Sequence, residues 1–234
     1  MDTKGTQITW LGHGTFRFTT SEGKVVIVDP WVMNNPACPD GEKNPDTLDL
    51  VLVTHAHFDH IGDAVELGTK LEPETFAIFE TAMWLGSKGV PKVTGMNKGG
   101  TAGAQGVRFT MVHAVHSCGI TDGDQILYGG EAAGYVIEFP GGLKVYYAGD
   151  TTVFSDMKII AELYQPDVSV LPIGDFYTMS PREAAYAVKL LGAKTVIPMH
   201  YATFPVLTGT PQELRKLVGK DVDVVAMKPG ETIG

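Results

Sequence analysis

Three of the chain's seven histidines fall within six positions, in the segment VLVTHAHFDHIGD at residues 51–63. The apolar, β-branched start of this segment reads as a strand. His55 and His57, two apart at its end, project to one side of an extended backbone. Asp59 and His60 follow in what reads as a turn, where they can face a second point nearby. Imidazole and carboxylate at this density suit zinc, iron, manganese or nickel, and the carboxyl end of a strand is where a sheet usually presents ligands. A chain organised around such a cluster needs a sheet with several strand ends close to it.

The rest of the sequence allows that. At 234 residues and 44% hydrophobic content, the chain can bury a sizeable core as one domain spanning residues 1–234. No apolar stretch approaches the roughly 20 residues needed to cross a bilayer, and MDTKGTQITW lacks the basic and apolar regions of a leader, so a cytoplasmic location without a membrane partner is expected. Cys38 and Cys118 have no C-x-x-C spacing and read as free thiols. A net charge of -9 without a Lys/Arg cluster opposes binding to nucleic acid. The expected partner is a small-molecule substrate, with assembly into a homo-oligomer left open.

The early runs TQITWLG, TFRFTT and KVVIVDP read as meandering strands separated by Gly, Ser and Pro. Apolar strand runs (DLVLVTH, TFAIFE, VRFTMVHAV) then alternate with helical patterns such as DAVELGTKL and TAMWLGSKG. The second half repeats the plan. A hairpin around Pro140-Gly141-Gly142 is followed by helix FSDMKIIAELY and strand DVSVLPIG. SPREAAYAVKLLG has Ser180 as N-cap, Pro181 at its first position, Glu183 completing a capping box and Gly192 as C-cap. KTVIPMH then reads as strand, TPQELRKLVG as helix and VDVVAM as the closing strand. The order fits an α+β architecture of two mixed sheets with helices on their outer faces. Residues 117–134 carry five glycines and no clear period, and read as an ordered active-site loop or a mobile lid.

HAHFDH fits the H-x-H-x-D-H motif and so resembles the metallo-β-lactamase superfamily. His116 in AVHS, Asp150 in YYAGDT and His200 in VIPMHY each end a predicted strand, in the order and rough spacing of that family's remaining ligands. The resemblance covers essentially the whole chain and implies a four-layer αββα sandwich. Carried over by position, it implies that His55, His57 and His116 hold one metal and Asp59, His60 and His200 a second, with Asp150 bridging. The cofactor expected is a pair of divalent ions, zinc first, with manganese, iron or nickel as alternatives. Two such ions acidify a bridging water and polarise the electrophile, so the implied activity is hydrolysis by a metal-bridging hydroxide, with Asp59 also orienting that nucleophile. LGHGTF and LPIGDFYTMSPREAA are similar to the small hydrolases related to ascorbate-6-phosphate lactonase, which implies an ester, lactone or related substrate, phosphorylated or not. Flavodiiron members of the superfamily carry Glu where this chain has His57 and add a flavodoxin-like domain, so redox chemistry is disfavoured. The alternatives are a phosphodiesterase or nuclease on the same metals, or a metal-binding regulatory protein without catalysis.

Some assignments stay between two readings. His113 and His116, three apart on a strand, point to opposite faces. His116 matches the family ligand, and His113 reads as a packed or edge histidine. His13, between two glycines, is either a turn residue or a group close to the metals, with a catalytic role in contacting substrate or supporting a ligand. Asp29 in VIVDP is either a Pro-linked turn residue or the partner of a metal-bound imidazole. Asp175, Tyr177 and Tyr201 are candidates for the pocket wall, and Gly149 and Gly174 for close backbone approach.

Overall fold

The meander expected at the start forms as β1 (Gln7–Trp10), β2 (Phe16–Thr19) and β3 (Val25–Val28), each antiparallel to the next. The chain then changes to crossover connections, which make the following strands parallel. β4 (Leu50–Leu52) leads through α1 (Phe58–Ile61) and α2 (Ala64–Leu71) to β5 (Glu74–Ile78), and α3 (Phe79–Ser87) leads to β6 (Val93–Met96). The computed structural model describes residues 1–234.

A second sheet starts with β7 (Thr101–Ala104) and β8 (Val107–His113). β9 (Gly119–Asp122) and β10 (Gln125–Tyr128) form a separate two-stranded hairpin before β11 (Ala133–Glu138) and β12 (Lys144–Tyr147) resume the sheet. α4 (Met157–Tyr164), β13 (Val168–Pro172), α5 (Pro181–Leu191), β14 (Thr195–Met199), α6 (Pro211–Val218) and β15 (Asp223–Val224) follow in strict alternation, and β16 (Thr232–Ile233) ends the chain.

The two seven-stranded sheets have the orders β16-β1-β2-β3-β4-β5-β6 and β15-β14-β13-β12-β11-β8-β7. Each is antiparallel on one side and parallel on the other. With helices packed against each sheet, this is the metallo-β-lactamase αββα sandwich, an α+β fold. A cluster of 45 buried residues draws on both sheets, and a second of 16 lies between the second sheet and α4, α5 and α6. Strand alternation decides which core a side chain joins. Tyr135, Ile137, Val145 and Tyr147 enter the first cluster, whereas Val136 and Tyr146 enter the second. A sheet covered on both faces needs apolar residues at every position, and β13 is buried along its whole length.

The α5 capping box forms as read. Ser180 Oγ accepts from the Glu183 amide, and Glu183 Oε2 accepts from the Ser180 amide at 2.9 Å. The hairpin at Pro140-Gly141-Gly142 also forms, with both glycines at φ near +90°.

Two expectations change. Residues 119–128, within the segment that reads as an ordered active-site loop or a mobile lid, form the β9–β10 hairpin around Gly123 at φ 61°, and the DGDQ turn signal there was the clue. VDVVAM supplies only the short β15, while the chain closes on β16, which pairs with β1 in the other sheet. No helix is long and apolar enough to cross a membrane.

Candidate metal centre

β8 and β12 are both antiparallel to β11 and therefore run the same way, and β13 and β14 are parallel to β12. Their carboxyl ends share one edge of the second sheet. His116 follows β8, Asp150 follows β12 and His200 directly follows β14. The first sheet contributes Asp29 after β3, His55 and His57 after β4, and Asp59 and His60 on α1, which is a short helix rather than the expected turn.

Nε2 of His55 lies 3.1 Å from Nδ1 of His57, and Nε2 of His116 lies 3.3 Å from that same atom. Ligands bonded at about 2.05 Å in a tetrahedral zinc site stand roughly 3.3 Å apart, so these three nitrogens have the spacing of one metal face. Asp150 Oδ2 faces both groups. It is 3.0 Å from Nε2 of His200 and 3.4 Å from Nε2 of His60. It is also 3.8 Å from Nε2 of His55 and 3.7 Å from Nε2 of His116. Asp59 Oδ2 is 3.9 Å from Nε2 of His200.

Several of these buried atoms have no hydrogen-bond partner within the protein: His60 Nε2, His200 Nε2 and Asp150 Oδ1. Buried polar atoms are rarely left unpaired, and a convergent set of imidazole nitrogens and carboxylate oxygens is the donor set of a divalent metal. The residues present fit such ions.

Neighbouring side chains set ring orientation and tautomer. Asp29 Oδ2 accepts from Nδ1 of His60 at 2.8 Å, leaving Nε2 facing the centre. The same carboxylate accepts from the Thr54 amide and hydroxyl, both at 2.7 Å. With its proton directed to Asp29, the Thr54 oxygen accepts from Nδ1 of His55 at 3.0 Å. Of the two readings left open for Asp29, the structure has the partner of a candidate ligand. Ser117 Oγ lies 3.2 Å from Nε2 of His57, which turns Nδ1 of that ring inward.

His13 is fully buried, at 0% exposure, with Nε2 3.0 Å from Asp59 Oδ2 and Nδ1 2.9 Å from Thr203 Oγ1. Its carbonyl accepts from the His200 amide at 3.1 Å. The ring also packs against that of His200 with centroids 3.9 Å apart, and its nitrogen lies within 4.8 Å of the donor atoms of Asp59, His60 and His200, but it has no place on the cavity wall. His13, Asp29 and His200 all carry positive φ, at 55°, 55° and 56°, a strained conformation for non-glycine residues that tends to gather at functional sites.

Burial, and then neighbouring imidazoles, holds His55 well below the usual histidine value. Burial likewise lowers His57 and His116. Burial and His200 bring His13 down to about 4. Burial works against charge on His60 too, yet Asp150 and Asp29 raise it well above the usual value. Asp150 is driven well below the carboxylate range because His200 and His60 outweigh its burial. Asp59 overcomes its burial through the His13 hydrogen bond and falls to about 2.

His113 is exposed at the end of β8, 3.0 Å from Lys98 Nζ and away from the cluster. Tyr177 lines the cavity over the centre. Asp175 does not, since its carboxylate caps the Phe176 amide at 2.7 Å, nor does Tyr201, which stacks on Trp10 with centroids 5.1 Å apart. A Cβ at Gly174 would stand 2.0 Å from the His200 carbonyl, and one at Gly149 2.8 Å from that of Ala133, so both glycines permit close backbone approach. Thr54, Thr203, Ser117 and Phe204 were missed. Thr54, the first residue of THAH, and Ser117, next to His116 in AVHS, had a positional clue.

The model of the β-lactamase superfamily domain matches residues 7–200. A UPF0173 metal-dependent hydrolase from Koribacter versatilis (strain Ellin345) is 59% identical over 232 residues, covering 99% of each chain. Another from Solibacter usitatus (strain Ellin6076) is 55% identical over 228 residues, 97% of this chain and 99% of the relative. Among solved structures, a metallo hydrolase from the hyperthermophilic archaeon Ignicoccus hospitalis has 37% identity and a TM-score of 0.85, with 97% of each chain covered.

Proposed function

Because the chain belongs to the β-lactamase superfamily, among the UPF0173 metal-dependent hydrolases, we propose that it is a dinuclear hydrolase of a small-molecule ester, lactone or related acyl substrate. The observation that carries this reading is Asp150 Oδ2, which lies within 3.8 Å of four imidazole nitrogens drawn from both ligand groups. A carboxylate surrounded in that way is suited to a position between two cations.

His55 Nε2, His57 Nδ1 and His116 Nε2 would hold one ion, and Asp59, His60 Nε2 and His200 Nε2 the other, with Asp150 shared. Zinc suits these donors best, with manganese, iron or nickel as alternatives. Bound there, two divalent ions would acidify water and polarise a carbonyl. The protein's part is to hold the donors. Asp29 orients His60 directly and His55 through Thr54, and Ser117 orients His57. His13 fixes Asp59 from behind as its positioning residue, keeping that carboxylate ionised and aimed at water.

The 45-residue core drawn from both sheets supports residues 1–234 acting as one hydrolase domain. The two buried free thiols agree with a cytoplasmic setting. A phosphodiesterase or nuclease on the same metals is opposed by the net charge of -9, and a non-catalytic role by the complete set of donors.

The test is a screen of stripped protein reloaded with zinc or manganese on lactones, thioesters, phosphodiesters and β-lactams. Metal-restored turnover of a lactone or thioester is expected. Turnover confined to phosphodiesters would replace the reading, and metal binding without any turnover would favour the non-catalytic alternative.

A further inference from the structure

The cavity over the metal centre has a volume of about 580 Å3, and beyond the candidate ligands its wall is mainly apolar: Phe58, Tyr177, Phe204, Pro205 and Val206. Ser117 and Thr121 add two hydroxyls, and no lysine or arginine lines it. The wall is held in shape from behind. Trp31 packs edge-on against Phe58 with centroids 5.9 Å apart and stacks on Phe204 at 6.2 Å. Phe58 is 57% exposed, Tyr177 56% and Val206 41%, so this apolar surface is left for something to cover.

Resting on the hydrolase reading above, we propose that the site takes uncharged acyl substrates with an apolar chain and discriminates against those carrying a phosphate or carboxylate away from the reacting carbonyl. The only charges in the cavity belong to the metal centre, which engages the reacting group. A second anion further along the substrate would face aromatic and aliphatic side chains with no cation to replace its water, and burying a charge unpaired is unfavourable. The net charge of -9 adds a long-range bias of the same sign. An apolar chain against the same wall gains from burial, and the volume accommodates a ligand of small-molecule size. The phosphorylated substrates implied by the lactonase resemblance are thereby set aside.

The test has a turnover arm and a binding arm, both on zinc-loaded protein. In the first, para-nitrophenyl esters from acetate to hexanoate are compared with mono-para-nitrophenyl adipate, which matches hexanoate in length but ends in a carboxylate. kcat/KM should rise about three- to four-fold per added methylene. It should fall at least about 30-fold on adding the carboxylate. In the second arm, hexanohydroxamic acid and its carboxylated analogue, adipic monohydroxamic acid, are titrated calorimetrically, since both chelate the metal without being turned over. The neutral probe should bind more tightly, and Val206→Lys, at an exposed position, should shift the ratio of affinities at least about ten-fold toward the carboxylated probe. Val206→Ala should leave the neutral probe preferred. Preference for the neutral hydroxamate without turnover of any ester, lactone or thioester would sink the hydrolase reading and leave the pocket assignment standing. Equal or tighter binding of the carboxylated probe would overturn the pocket assignment, whatever the turnover.

Discussion

Oδ2 of Asp29 lies 2.8 Å from Nδ1 of His60, with both side chains fully buried, and Thr54 extends the same carboxylate to His55. One residue outside the candidate ligand set thus orients an imidazole from each half of the centre. A carboxylate behind a metal-bound imidazole fixes the tautomer and raises ligand basicity.

Asp29→Ala should weaken metal binding by about 10- to 100-fold and should affect both ions rather than one. Asp29→Asn keeps the size, but its amide loses the charge and part of the accepting capacity, so it should fall between the two. Chelator competition reads this as metal dissociation constants. Unchanged affinity for both ions in Asp29→Ala would mean that the carboxylate only supports the fold.

Wild-type protein should bind close to two divalent ions per chain, and Asp150→Asn close to one, because a neutral amide no longer offsets the repulsion between two cations. Hydrolysis should fall by at least about 100-fold, with its pH dependence moved upward. Elemental analysis and rates against pH check both. Two firmly held ions with near-normal turnover in the variant would remove Asp150 from the bridging position.

The two histidines near the end of β8 should separate cleanly. His116→Ala removes a nitrogen 3.3 Å from Nδ1 of His57 and should cost one ion or much of its affinity. His113→Ala removes an exposed ring beside Lys98 and should leave stoichiometry unchanged, with stability within about 0.5 kcal/mol of wild type. The reverse pattern in metal content would reassign the strand end.

Stability of the metal-free protein should pass through a maximum near about pH 6.5. His13, His55, His57 and His116 have folded values below the unfolded one, chiefly through burial. Their unfolded forms bind protons more readily, so stability is lost as pH falls from about 6.5 toward the folded values, that of His13 being about 4. His60 is raised, so its contribution is complete below about pH 6.5 and is lost as pH rises through its folded value. Among the histidines five, His113 included, act on the acid side and one on the alkaline side, so the acid limb should be steeper, each proton contributing up to about 1.4 kcal/mol per pH unit. Bound zinc would take the neutral His60 ring as a ligand and should flatten the alkaline limb. Thermal unfolding midpoints from about pH 5 to about pH 9, with EDTA or with zinc, test this. A metal-free profile level across that range would contradict it.

The candidate metal-holding residues were legible in the sequence because donor chemistry belongs to residue type, strand ends can be read from local pattern and the motif has a family likeness. HAHFDH reads as a donor cluster from residue type and strand end, whereas His116, Asp150 and His200 joined it through the resemblance to the metallo-β-lactamase superfamily, which also implied the sandwich that the order of strands and helices suggested. What aims those donors could not be read in that way. Asp29 and His60 are 31 positions apart, His13 and Asp59 are 46, and their hydrogen bonds exist only because the first sheet lays the ends of β1, β3 and β4 side by side. Asp29 before a proline reads equally well as a turn residue, and nothing local marks Phe204 as wall rather than packing. Chain pattern can report which chemistry a residue carries and which way its strand runs. The partner it meets, the nitrogen it turns inward and the polarity of the space above it are set by distances across the fold, and those arise only when the core has packed.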